Sequence, residues 1–292
     1  MGMARLGPIS DPPRIQLGDV QVSLLDGGHL WLDGGAMFGI IPKPMWAKLT
    51  EVDDQNRIPL AMTCLLLQTG GRRIIVETGA GAAAKYGERE HGFFRFARHW
   101  LLDSLQAAGI ERESIDYVVA THLHFDHAGG STMPDGRGGY VPTFPRARYV
   151  VQQGEWEDAV QGYGVMSATY RKENLAPLEE AGVLSLVRGE VEIVPGVRLL
   201  PMPGHTRHQQ GVIIGGGGEK AVQPADMMPT AAHVGIRHNM AYDLLPYENM
   251  RNKGRLLEEA LRGGWRLLLG QDPTNAAWQV QSDGRGGVSL TP

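Results

Sequence analysis

Tyr117-Val118-Val119-Ala120-Thr121-His122-Leu123-His124-Phe125-Asp126-His127-Ala128-Gly129-Gly130 is the stretch on which the fold turns. Its first four residues form an apolar run that reads as a short buried strand. The residues after it bring three imidazoles and a carboxylate together within six positions. The whole chain has only 10 histidines in 292 residues, so chance is a poor account of the cluster. Neutral imidazole and ionised carboxylate suit zinc or a similar borderline divalent cation. On extended backbone His122 and His124, two apart, face the same side of the chain. Asp126 and His127 follow a turn in an irregular loop and address a second position nearby. Two adjacent metals need about this many ligands, and a two-metal site makes a bridging hydroxide at neutral pH. The competing reading is a surface loop that is merely histidine-rich. It is the weaker one, because clustered imidazoles without a metal repel one another once protonated.

Further ligands come from distant segments with the same layout, a strand delivering polar residues at its end. Pro203-Gly204-His205-Thr206-Arg207-His208 follows a strand starting at Val197, and its glycine permits close backbone approach. Asp226 follows the strand ending at Val222-Gln223, where a carboxylate can bridge two metals. Strands are also expected over 15–25, 62–68, 73–77, 148–152 and 265–269, and helices over 93–108, 154–160 and 247–262. Gly70-Gly71 and Gly215-Gly216-Gly217-Gly218 read as hairpin tips, and 161–180 is ambiguous. Strands and helices alternate in both halves without a linker or composition shift. This predicts one domain over 1–292, with residues 1–46 as an N-terminal extension.

Composition bounds the function. A hydrophobic content of 42% and a charged content of 21% are those of an ordinary globular chain. A formal charge of −4 offers no basic face for nucleic acid, so a small-molecule partner is expected. Cys64 is the only cysteine, which excludes an intramolecular disulfide. Within Met62-Thr63-Cys64-Leu65-Leu66-Leu67 it reads as a small hydrophobe inside a strand. Met1 to Pro13 contains Arg5 but no apolar core of a signal peptide. No apolar run approaches the ~20 residues that cross a bilayer, so no membrane association and a cytoplasmic location are expected.

His122-x-His124-x-Asp126-His127, then Pro203-Gly204-His205, then Asp226, in this order, resembles the metallo-β-lactamase-fold hydrolase superfamily over about residues 20–275. The resemblance implies an α/β (α+β) chain folded as an αββα sandwich with metals at one edge of two packed sheets. It implies two divalent metal ions, zinc by preference, with manganese, cobalt or iron as alternatives. His122, His124 and His205 would hold the first metal, Asp126 and His127 the second, and Asp226 would bridge and move protons. Val76-Glu77-Thr78-Gly79 matches the family's early Asp-Thr-Gly segment, with Glu77 in place of Asp.

One position departs from the family. Where a last histidine ligand follows the final core strand, this chain has Gln271, before Asp272-Pro273. An amide oxygen is neutral and a poorer zinc ligand than imidazole. Gln271 is therefore a weak ligand, the second site is half-filled, or another group substitutes. His233 and His238 are the nearby candidates, though lining the pocket or capping backbone groups is the plainer reading. Asp272 reads first as a turn former, and His208 as a hydrogen-bonding support beside the site.

Trp31 to Trp46 is apolar, glycine-rich and too irregular for a helix, which suggests a flap over the metals, a homodimer contact or a segment buried on the core. Met227-Met228 adds soft apolar surface near the metals. The lactonase branch carries a tyrosine three residues after the bridging Asp, where this chain has Pro229. The segment 226–233 is closer to organophosphate hydrolases and broad esterases. The expected activity is metal-dependent cleavage of an ester, lactone or phosphotriester in a small, fairly apolar substrate. Two rivals stay open: an iron-binding redox relative, and a metal-binding scaffold or sensor with an impaired second site.

Overall fold

A computed structural model of the chain describes residues 10–88, 90, 95–96, 99–164, 167–284 and 286–292. Among them, one sheet of eight strands faces one of seven. The first sheet runs Arg14–Leu17, Val20–Asp33, Arg57–Thr69, Arg72–Val76, Tyr117–Val119, Arg148–Gln152 and Leu184–Val187, with Arg95–Phe96 paired to Val20–Asp33. The second runs Val191–Val194, Val197–Pro201, Gln210–Gly216, Glu219–Gln223, Arg266–Leu268, Ala277–Ser282 and Val288–Thr291.

Strand parity explains the layering. Side chains alternate between faces along a strand. In the first sheet Leu65, Leu67, Ile74, Val76, Val119 and Val150 turn inward. They meet Val197, Leu199, Val212, Ile214, Ala221 and Leu268 of the second sheet in one shared core. The alternate residues Cys64, Leu66, Ile75 and Val118 turn outward and are covered by Leu101 and Leu105 of helix Leu101–Ala107 and by Leu178 of helix Lys172–Glu180. Ile213, Val222, Leu267 and Leu269 are covered in the same way by Leu256, Leu257 and Ala260 of helix Pro246–Gly263. Both faces of both sheets are buried, which is why the central strands read as unbroken apolar runs. The expected αββα sandwich is the fold observed. Cys64 is fully buried, and burial pushes its thiol well above the usual range.

Several local expectations change. Among the described residues of the helix expected over 93–108, only Leu101–Ala107 is helical. Arg95–Phe96 pairs instead with Trp31 and Leu30, and residues 93–94 and 97–98 lie outside the described residues. Strand pairing with a sheet wins there over apolar spacing. The ambiguous stretch 161–180 contains the helix Lys172–Glu180, while 165–166 lies outside the described residues.

Residues 14–33 are not an extension added to the domain, because they form two strands of the first sheet. The stretch after them is helical in two short pieces, Gly34–Phe38 and Lys43–Trp46. Asp33 Oδ1 caps the first by accepting from the Ala36 amide at 2.8 Å. Phe38 stacks on Trp46 at 5.3 Å and on His233 at 4.6 Å, so this segment is pinned to the body of the protein. No helix among the described residues is long and apolar enough to cross a membrane.

Candidate metal centre

Five strand ends deliver the site to one edge of the two sheets. Tyr117–Val119 leads to His122 and His124, Arg72–Val76 to Glu77, Val197–Pro201 to His205, Glu219–Gln223 to Asp226, and Arg266–Leu268 to Gln271. Asp126 and His127 do not lie in an irregular loop. They sit on a single helical turn, Phe125–Ala128, which continues into a 3-10 turn at Gly129–Ser131. The Glu77-Thr78-Gly79 segment clamps this turn. The Thr78 amide donates to the His127 carbonyl at 2.8 Å, and the Gly130 amide to the Gly79 carbonyl at 3.0 Å. The approach leaves no space for a side chain at either glycine after the turn. A Cβ on Gly129 would stand 2.3 Å from the Ala80 carbonyl oxygen, and one on Gly130 2.2 Å from that of Thr78.

The side chains converge in two adjoining groups. His122, His124 and His205 each offer a ligand atom within 4.8 Å of the others, and so do His122, His127 and Asp226. Nδ1 of His124 lies 3.0 Å from Nε2 of His205. Nε2 of His127 lies 3.3 Å from Asp226 and 3.4 Å from Asp126. Gln271 is at the same place: its amide nitrogen is 2.7 Å from Asp126 Oδ2 and 3.1 Å from His127 Nε2. All the ligand residues expected from the sequence are therefore brought together.

The electrostatics fit cations. Burial, then the neighbouring imidazoles, push His122 and His124 well below the usual histidine range, so both are neutral and open to metal. Burial also works against charge on His127, but Asp226, Asp126 and Glu77 outweigh it and hold the imidazole well above its usual range. Burial opposes ionisation of Asp126, yet His127 overrides it and keeps that carboxyl below the usual range. The carboxylates around His127 thus call for positive charge. Nε2 of His122 is buried with no hydrogen-bond partner among the described residues, as an unfilled ligand atom would be.

Three carboxylates hold the candidate ligands and their loops in place. Glu77, at an unusual φ of 66°, accepts from the Thr121 amide at 2.8 Å and sits 2.6 Å from His127 Nδ1. A residue other than glycine in this region is costly and frequent at functional sites. Asp243 Oδ1 lies 3.0 Å from Nδ1 of His205. Glu155 accepts from the Leu123 amide at 3.1 Å and from the Thr206 hydroxyl at 2.6 Å, joining the two loops that carry the histidines. Sequence reading missed Asp243 and Glu155. Each lies outside any motif, and only folding sets it beside a ligand loop.

Asp243→Asn keeps the shape but removes the charge that orients His205. Loss of such a partner costs about 10–100-fold in metal affinity. Competition of the variant with a zinc chelator is expected to show a fall of that size, and an unchanged affinity would refute the role.

The remaining histidines take the plainer readings. His233 Nδ1 is 2.8 Å from the Thr230 hydroxyl and Nε2 is 2.9 Å from the Met37 carbonyl, so both nitrogens are engaged. Burial pushes it down to about 3. His238 Nδ1 pairs with the Ala232 carbonyl at 2.8 Å. His208 does not support a ligand as expected. Its side chain is 43% exposed, 3.9 Å from Asp158. Asp272 is a turn former, accepting from the Thr274 and Asn275 amides.

Beside the ligands is a cleft of about 90 Å³ with Leu32, Met37, Phe125, Met240 and Tyr242 on its apolar wall. Met37 belongs to the segment read as a flap. Met227 and Met228 do not line the cleft; they pack with the core under helix Pro246–Gly263, and Met240 supplies the soft apolar surface instead.

With this geometry, the likenesses to known proteins are informative. The profile of the Metallo-beta-lactamase superfamily matches residues 57–271. An N-acyl homoserine lactonase of Bacillus sp is 32% identical over 169 residues, which are 54% of this chain and 59% of that protein. The chain thus spans under two thirds of the length of this curated relative. A probable metal-dependent hydrolase from Staphylococcus aureus superposes with a TM-score of 0.86 at 31% identity, covering 95% of this chain and 99% of the other. A dizinc quorum-quenching lactonase shares the fold, with a TM-score of 0.79 at 18% identity over 97% of this chain and 98% of its own. A profile match across most of the chain, joined to this strand order, makes it a member of the metallo-beta-lactamase superfamily.

Proposed function

We propose that the chain is a metal-dependent hydrolase of small, fairly apolar substrates, cleaving an ester, lactone or phosphotriester bond, with a lactone as the first substrate to test. The observation that carries this reading is the pair of ligand groups sharing His122, set beside an apolar-walled cleft. The N-acyl homoserine lactonase relative and the dizinc lactonase of like fold support the lactone. In this reading His122, His124 and His205 hold one divalent ion, zinc foremost. Asp126, His127 and the amide oxygen of Gln271 would hold a second, with Asp226 available to both. Turning the Gln271 amide over would set its oxygen, instead of its nitrogen, beside Asp126 and His127; amide orientation is set by its surroundings.

When bound, divalent ions supply Lewis acidity and a water activated near neutral pH. The chain's residues do the rest. Asp226 receives and relays the proton released on attack. Asp126 and His127 orient the reacting group, and Leu32, Met37 and Phe125 exclude water and hold the apolar part of the substrate. Glu77 and Asp243 keep His127 and His205 in register through their Nδ1 atoms.

The test is a panel of an N-acyl lactone, an aryl ester and an aryl phosphotriester, assayed with the metal-stripped and the zinc-reloaded protein. Turnover that appears only with metal, and is highest on the lactone, is expected. Full metal loading without turnover on any of the three would overturn the hydrolase reading in favour of a metal-binding scaffold.

A further inference from the structure

A second cluster of ligand-type side chains lies on the strand Val20–Asp33, apart from the centre described above. In a regular strand Asp26 and His29, three apart, would point to opposite faces. The pairing with the neighbouring strand runs Asp26↔Thr63 and then His29↔Ala61, so one extra residue is accommodated between them. This bulge restores both side chains to one face. Gly27 and Gly28 make it. A Cβ on Gly27 would stand 2.4 Å from the Met62 carbonyl oxygen, and Gly28 has a φ of 112° with its Cβ position 2.9 Å from the His99 carbonyl oxygen. The close approach at Gly28 is what admits His99 from the segment before helix Leu101–Ala107.

We propose that Asp26, His29 and His99 form a further divalent-metal site, of zinc type, that fastens this strand to the segment leading into the helix. One ligand atom from each lies within 4.8 Å of the other two. Asp26 Oδ1 is 3.0 Å from His99 Nε2 and 3.8 Å from His29 Nδ1. Zinc bonds of about 2.0–2.1 Å in tetrahedral geometry put ligand atoms about 3.3 Å apart, between these two values.

The Gly28 amide donates to Asp26 Oδ1 at 2.8 Å and fixes the carboxylate. A plain Asp26–His99 ion pair accounts for only part of the arrangement. It leaves Nδ1 of His29 buried with no hydrogen-bond partner among the described residues, on a side chain only 6% exposed. A cation between the three fills that atom's valence and removes the cost of an unsatisfied buried group. Three protein ligands leave a fourth position for water or a substrate group. Met62 stands between this cluster and the first centre. Its Cε is 3.1 Å from the Gly28 Cβ position, and it also lines the small cavity beside Asp126 and His127.

The experiment counts zinc. Wild type, His29→Gln and Asp26→Asn are each saturated with zinc, desalted and analysed for metal per chain by mass spectrometry. Each variant is expected to carry one zinc fewer than wild type with its hydrolytic turnover unchanged, so the outcome does not depend on what the first centre catalyses. Equal zinc counts overturn the proposal. A crystal of the unaltered chain grown with zinc avoids any folding defect of the variants. Anomalous scattering at the zinc edge is expected to give a peak enclosed by Asp26, His29 and His99, and a map without one there overturns the site.

Discussion

His122→Ala is expected to abolish metal-dependent turnover, with a loss of at least ~10³-fold at saturating zinc. His122 would supply one of the three imidazoles of the first ion, and it offers a ligand atom within 4.8 Å of those of His127 and Asp226 as well. His124 and His205 alone would remain for the first position, and His127 and Asp226 would lose a neighbour at the second. The imidazole is fully buried and neutral, and its Nε2 has no hydrogen-bond partner among the described residues. Its loss removes the hydrogen bond at 3.1 Å between Nδ1 and the Thr121 hydroxyl and the ring contacts with His124, His127 and His205, all of them within the site. The fold should persist, as checked by circular dichroism, while zinc content and rate collapse together. A folded variant that keeps wild-type turnover would remove the first metal from the reaction.

Gln271→His carries the second large effect, in the opposite direction. The backbone of residue 271 is held independently of its side chain. The Ala61 amide donates to its carbonyl at 3.0 Å, and its own amide donates to the Pro229 carbonyl at 3.1 Å. The new side chain therefore starts from the same place, beside Asp126 and His127. Imidazole is the better zinc ligand, and the surrounding carboxylates favour the added cation. Affinity for the second zinc is expected to rise about tenfold or more, a step comparable to changes among metal-supporting groups. Turnover at limiting zinc should rise with it. The measurement is a zinc titration against a chromophoric chelator. An unchanged second affinity would show that Gln271 holds Asp126 by a hydrogen bond and is not a ligand.

Much of this was legible in the chain because it is local. The run 117–120 reads as a buried strand and is one, in the middle of its sheet. Gly70-Gly71 reads as a hairpin tip and is one, with φ of 54° and 75° joining two antiparallel strands. His122, His124, Asp126 and His127 are neighbours in sequence, so their meeting costs little chain entropy and shows in the spacing itself. His205, Asp226 and Gln271 come from far along the chain, and only their places after strand ends, together with the resemblance, linked them to the first four.

What failed failed for reasons of packing. Met227-Met228, adjacent to a ligand, turned into the core because the 3-10 turn Ala225–Met227 directs them under a helix. Phe96 fits a helical apolar pattern, yet strand pairing took it together with Arg95. The glycine-rich run after Asp33 looked too irregular for helix, but a side-chain cap and stacking on Trp46 and His233 give it two short ones.

By itself the sequence determined the candidate ligand types, their order and the two-faced burial of the central strands. These follow from residue chemistry and from the alternation of side chains along a strand, which no partner can alter. Only the tertiary structure decided which carboxylates orient the ligands. Glu155 and Asp243 stand beside the histidine loops because helices and turns distant in the chain fold back on them. It also decided that Asp26, His29 and His99 meet. That juxtaposition depends on a one-residue slip in strand pairing, and pairing register belongs to two strands together.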